Sequence, residues 1–117
     1  MAGFDGKVLT GVFELEGQRF MGLDGGPGVF QSSGVISYLV ECKDQEEIDY
    51  FWEKLSAVKE KEQCGWCTDK FNFTWQIVPD MTKWFNEKDK AATDRAMQAM
   101  LQMKKIDIAE LEKAYEA

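Results

Sequence analysis

Apolar and polar residues alternate on both sides of Glu16-Gly17, over residues 7–15 and 18–23. Alternation at a period of two marks strands, and a glycine that supplies positive φ suits the two-residue turn of a hairpin. Pairing outward from that turn sets Leu15 against Gln18, Glu14 against Arg19, Phe13 against Phe20 and Val12 against Met21. Phe13, Leu15 and Phe20 then share one face. Glu14 and Arg19 oppose each other on the other face, as a cross-strand ion pair or as a ligand contact. The glycine-rich Asp24-Gly25-Gly26-Pro27-Gly28 reads as a loop. Its spacing is wrong for a dinucleotide fingerprint and no helix follows it.

Residues 35–42 form the next predicted strand. Asp44 and Glu47 have the spacing of a capping box, and Ile48, Phe51, Trp52 and Leu55 recur at i, i+3, i+4 and i+7. A helix that buries one stripe is expected to about residue 57. The charged run 59–62 is a solvated connection, and 63–79 reads as a second hairpin turning around 68–72, with Asn72 at a left-handed position. Beyond Pro79 the period becomes helical: a short turn near Trp84, a helix over 89–103 with Ala92, Ala96, Met100 and Met103 on one face, and a last helix capped by Asp107. That last helix carries Ile108, Leu111 and Tyr115. Met97, Met100 and Met103 form a stripe that core packing explains more simply than a ligand groove. Strands first and helices last give an α+β fold, expected as a single domain over 1–117.

Composition narrows the partners. The 117 residues are 44% hydrophobic and 13% aromatic, enough for one packed core. A net charge of −7 argues against nucleic acid and against anionic membrane surfaces. No apolar run approaches the ~20 residues of a membrane span. The first five residues lack the basic and apolar regions of a signal peptide, so the expected location is cytoplasmic.

Three cysteines, an odd number, do not make a disulfide framework. Cys64-Gly65-Trp66-Cys67 is a CxxC, but turn and strand follow it, not the helix whose dipole would stabilise a thiolate. Zinc would need two further ligands, and only distant Cys42 remains. Incidental structural cysteines are the simplest reading.

Four stretches, ELEGQRFMGLDGGP, ISYLVECKDQEEIDYFWEKLS, QCGWCTDKFNFTWQIVP and AMQAMLQMKKIDIAELEKAY, together resemble the PhnB-like branch of the vicinal oxygen chelate (glyoxalase/bleomycin-resistance) superfamily. The resemblance covers nearly the whole chain from about Val8. It implies paired βαβββ modules that form a cupped sheet with helices outside. Here 7–23 corresponds to one hairpin of the first module, 35–79 to a complete second module and 80–117 to a helical C-terminal segment. The strand, helix and strand that usually open the first module have no counterpart. In metal-binding relatives the last strand reads roughly Asp-x-x-Gly-x-x-x-Glu. The matching run here begins at Asp69 and puts Gln76 in the carboxylate's place, while Val35 stands where such enzymes open with His. An amide is a poor ligand for a divalent ion and valine is none, and the chain has no histidine, so neither metal nor cofactor is expected.

Members of that branch often carry the label demethylubiquinone methyltransferase. The common methyltransferase architecture needs a doubly wound parallel sheet and a glycine-rich loop before a helix, which this pattern lacks. No nucleophile–base pair is evident, so no catalytic residue is assigned. Alternation sets Phe71, Phe73, Trp75 and Ile77 with Ile36, Tyr38, Val40 and Cys42 on faces that should pack beneath the first helix. Ser37, Glu41, Thr74 and Gln76 should face the cup, and with Arg19 they are the candidate ligand-binding residues. Three readings stay open: a non-metal small-ligand-binding module, a divergent enzyme of the superfamily, and a truncated structural dimer without ligand. A homodimer is expected, because the reduced first module leaves the cup without a wall; the alternative is that the C-terminal helices, rich in Met and Ala, cover the exposed sheet within one chain.

Overall fold

The computed structural model describes residues 8–26 and 33–117. Residues 1–5, Lys7 and the Pro27-Gly28 end of the expected loop lie outside the described residues. The chain divides into two compact units, 1–31 and 32–117.

In the first unit β1 (Thr10–Leu15) and β2 (Gln18–Leu23) pair antiparallel in the expected register. Both turn residues take positive φ, 49° at Glu16 and 77° at Gly17, so the turn is of the mirror-image kind whose twist matches the strands. Phe13 and Phe20 stack with ring centroids 5.5 Å apart. Glu14 and Arg19 lie opposite each other but form no ion pair; those among the described residues are Lys83–Glu112 and Lys105–Asp49. An exposed pair worth a few tenths of a kcal/mol does not hold two flexible side chains in place.

The second unit opens with β3 (Ser37–Cys42), two residues later than expected, and Val35 and Ile36 stand 86% and 76% exposed before it. In α1 (Gln45–Leu55) the cap forms as predicted, with Glu47 N–H donating to Asp44 Oδ1 at 2.9 Å. Glu47 Oε1 reaches back to the Lys43 N–H at 3.4 Å, one residue before the usual capping-box position. The helix stops at Leu55 because Ser56, though it donates to Trp52 O, turns to extended backbone.

A 3-10 turn (Lys59–Lys61) follows, and then β4 (Trp66–Thr68) and β5 (Thr74–Pro79). The order is β3-β5-β4, with β3 and β5 parallel and β4 antiparallel to β5. This is strand-helix-strand-strand, so the module expected complete over 35–79 is a partial one among the described residues. Between α1 and β4 the chain spends its residues on the 3-10 turn and on a tight reversal. There Cys64 and Gly65 both have positive φ, and Gln63 bridges Trp66.

A 3-10 turn (Met81–Lys83) leads to α2 (Lys90–Leu101) and α3 (Ile108–Glu116), capped by Asp89 and Asp107. The core joins Ile48, Ile77, Ile106 and Leu111, each fully buried and each worth roughly 1.5–3 kcal/mol, to Cys42, Cys67, Trp84 and Ala96. The C-terminal helices therefore share one core with α1 and the sheet. Gln45 locks them together: its amide donates to Ile106 O at 2.9 Å and accepts from Ile108 N–H at 2.8 Å. Arg95 donates from Nε and Nη2 to Ala114 O and Tyr115 O and ties α2 to the end of α3.

Candidate functional site

Register decides which side chains share a face of the second unit's sheet. Ser37 aligns with Thr74, Leu39 with Gln76 and Glu41 with Val78, while Trp66 lies across from Gln76 on the other side of β5. Directly paired residues point the same way, so these form one face. Tyr38, Val40, Cys42, Trp75, Ile77 and Cys67 form the other. That second face carries the core, as expected for Val40, Cys42, Trp75 and Ile77. Ile36, Tyr38, Phe71 and Phe73 stay exposed: Ile36 precedes β3, Tyr38 lies near the start of β3, and the two phenylalanines lie in the turn before β5.

Four of the five predicted residues, Ser37, Glu41, Thr74 and Gln76, thus share the mixed face. Gln76 Nε2 donates to Ser37 Oγ at 2.9 Å, which fixes the amide and leaves its oxygen as an acceptor. Ser37, Thr74 and Gln76 are half-buried and Glu41 is exposed. Leu39 and Trp66 flank Gln76 in a row across three strands, 58% and 39% exposed. Apolar surface on both sides of an oriented amide gives this face hydrogen-bonding and stacking capacity together. The fifth residue, Arg19, sits on β2 in the first unit, opposite Glu14.

The turn entering β5 is built on a residue that strand alternation does not flag. Asp69 is buried, and its Oδ1 accepts from the N–H groups of Phe71 and Phe73 at 2.8 and 3.0 Å, while Oδ2 accepts from Trp75 Nε1 at 2.9 Å. Asn72 takes the predicted left-handed position at φ 70°. The Asp at the head of the D-x-x-x run is thus a turn-builder. An aspartate opening a four-residue turn was the signal available in the sequence.

The cysteines are all free thiols. Burial, then Glu62 and Asp69, push the Cys67 thiol up to about 11; burial, then Glu47 and Asp44, do the same for Cys42, also to about 11. The CxxC lies on the tight reversal before β4, with Cys64 N–H and Gly65 N–H donating to Met103 O and Lys104 O, and no helix follows. Among the described residues no three His, Cys, Asp or Glu side chains are placed to hold a metal ion together.

The family model described as 3-demethylubiquinone-9 3-methyltransferase matches residues 2–78 of the 117. The chain belongs to this family. It is a family of the glyoxalase-like superfamily, in agreement with the partial βαβββ module observed here. The match takes in the hairpin and the whole sheet up to Val78, and α2 and α3 lie beyond it. No curated protein matches the chain. No helix among the described residues is long and apolar enough to cross a membrane.

Proposed function

We propose that the chain is a PhnB-like, non-metal, small-ligand-binding module that works as a homodimer. The observation that carries this reading is the Leu39–Gln76–Trp66 row, where the amide hydrogen-bonded to Ser37 lies between two exposed apolar side chains. Ligand surfaces combine apolar walls with a few oriented polar groups, and this row has both. Gln76 stands where metal-using relatives place a carboxylate, and its committed amide suits recognition of a polar group better than capture of a cation.

The methyl transfer in the family's description finds no support in these residues. The β3–α1 junction reads Cys42-Lys43-Asp44-Gln45, with no glycine to bring backbone close to a nucleotide-like cofactor, and the sheet has one parallel pair. The homodimer is supported by apolar surface that asks for cover. Val12, Phe13, Leu15, Met21 and Leu23 of the hairpin are all half exposed or more, and a lone hairpin is marginal in water.

A thermal-shift screen of small polar aromatic molecules tests the ligand reading. Hits should raise the melting temperature of the natural chain and lose that effect in Gln76→Leu, which keeps the apolar wall and removes the amide. Hits that stabilise both chains equally, or no hits at all, would count against it.

A further inference from the structure

Among the described residues the side-chain amide of Gln76 has one partner, the hydroxyl of Ser37, to which Nε2 donates at 2.9 Å. That bond leaves Oε1 as an open acceptor. It also leaves an open donor beside it, the second Nε2 hydrogen or the hydroxyl hydrogen of Ser37, whose oxygen accepts the bond. An acceptor next to a donor is matched by a ligand edge that carries the reverse, an N–H next to a carbonyl. A ring that carries carbonyls alone would leave Oε1 facing another oxygen, a hydrogen bond unmade in a half-buried place.

The walls set the shape of what can reach that edge. Leu39 lies across from Gln76 on β3 and Trp66 lies across from it on β4. Two strand spacings, about 10 Å, therefore separate them. Side chains stand roughly perpendicular to a sheet, and a flat ring touching a wall on each side needs about 7–8 Å. One aromatic ring fits on edge between Leu39 and Trp66, with its rim on the amide and its face against the indole. Both walls are exposed, so the slot is entered from the open side of the sheet.

We infer that this slot takes a planar lactam, an aromatic ring system whose edge carries N–H beside C=O. The N–H donates to Gln76 Oε1, and the carbonyl accepts from Ser37 or from the free hydrogen of the amide. The inference rests on the ligand-binding reading above and adds the chemical class of the ligand.

The test is an NMR titration of the full chain with isocarbostyril, a flat fused-ring lactam. Its counterparts are N-methylisocarbostyril, which keeps the rings and the carbonyl but loses the N–H, and isoquinoline, which loses both groups. Isocarbostyril should shift the backbone amides of Leu39, Trp66 and Gln76 saturably, and bind about threefold to tenfold tighter than either counterpart. In Gln76→Leu the walls remain and the preference for the N–H should vanish. Ser37→Ala, a smaller change that removes the partner fixing the amide, should lessen that preference and serves if Gln76→Leu does not fold. Saturable shifts of the same row by all the probes alike, or a preference that survives both substitutions, would overturn the lactam assignment and leave the ligand-binding reading standing. No shift of this row by any probe would also overturn the assignment, and the thermal-shift screen of other polar aromatics then decides the broader reading.

Discussion

Asp69 gathers three hydrogen bonds onto one buried carboxylate, and a side chain so used is costly to remove. Asp69→Ala should destabilise the chain by about 2–4 kcal/mol, read from the midpoint of urea unfolding. Asn should rescue little: its oxygen can serve Phe71 and Phe73, but its NH₂ then faces the Trp75 N–H, donor against donor. A loss below about 1 kcal/mol for Ala would show that the turn does not depend on this residue. The thiols give a second prediction. Cys42 and Cys67 hold their protons to about pH 11 when folded, against an ordinary value of 9.0. An unfolded chain releases them first, so stability should fall as pH rises through that window and be untouched by these groups below about pH 8. Alkylation at mild alkaline pH, followed by mass spectrometry, should label half-exposed Cys64 well before the other two. Equal labelling of all three would contradict their burial.

At the level of elements, the sequence marks helices by their caps: Asp44, Asp89 and Asp107 each accept from the N–H three residues on. The hairpin register was legible because Glu16-Gly17 fixes the turn and a slip by one residue would turn every side chain to the other face. What could not be read is where strands yield to turns that long-range contacts decide. The reversal at Cys64-Gly65 is one case, since both N–H groups find acceptors only in 103–104, some forty residues on. Gly65 there has φ 86°, and a Cβ would meet Val78 Cγ1 at 3.0 Å, Ile106 Cγ1 at 3.1 Å and Ile77 O at 3.2 Å. Gly65→Ala should therefore cost about 2–4 kcal/mol, from left-handed strain and crowding together. A change under about 1 kcal/mol would mean that the sheet and the 103–106 segment part readily.

For the whole molecule, the mixed face was legible from alternation alone, because parity decides it once β3 and β5 are identified. The Trp66 wall was not, because β4 is three residues long and its register on β5 follows from the tight reversal at Cys64-Gly65. The proposed homodimer rests on the exposed apolar surface of the hairpin, from Val12 to Leu23. Light scattering at micromolar concentration should give the mass of two chains, and a stable species of single-chain mass would defeat the dimer. In the proposed function, the amide of Gln76, held by Ser37 between Leu39 and Trp66, is the working centre of the protein. A crystal structure of the full chain with the strongest hit of the thermal-shift screen tests it most directly. Ligand density is expected against Trp66, within hydrogen-bond distance of the Gln76 side chain; density only elsewhere, with that face bare or closed by protein, would refute this role for Gln76.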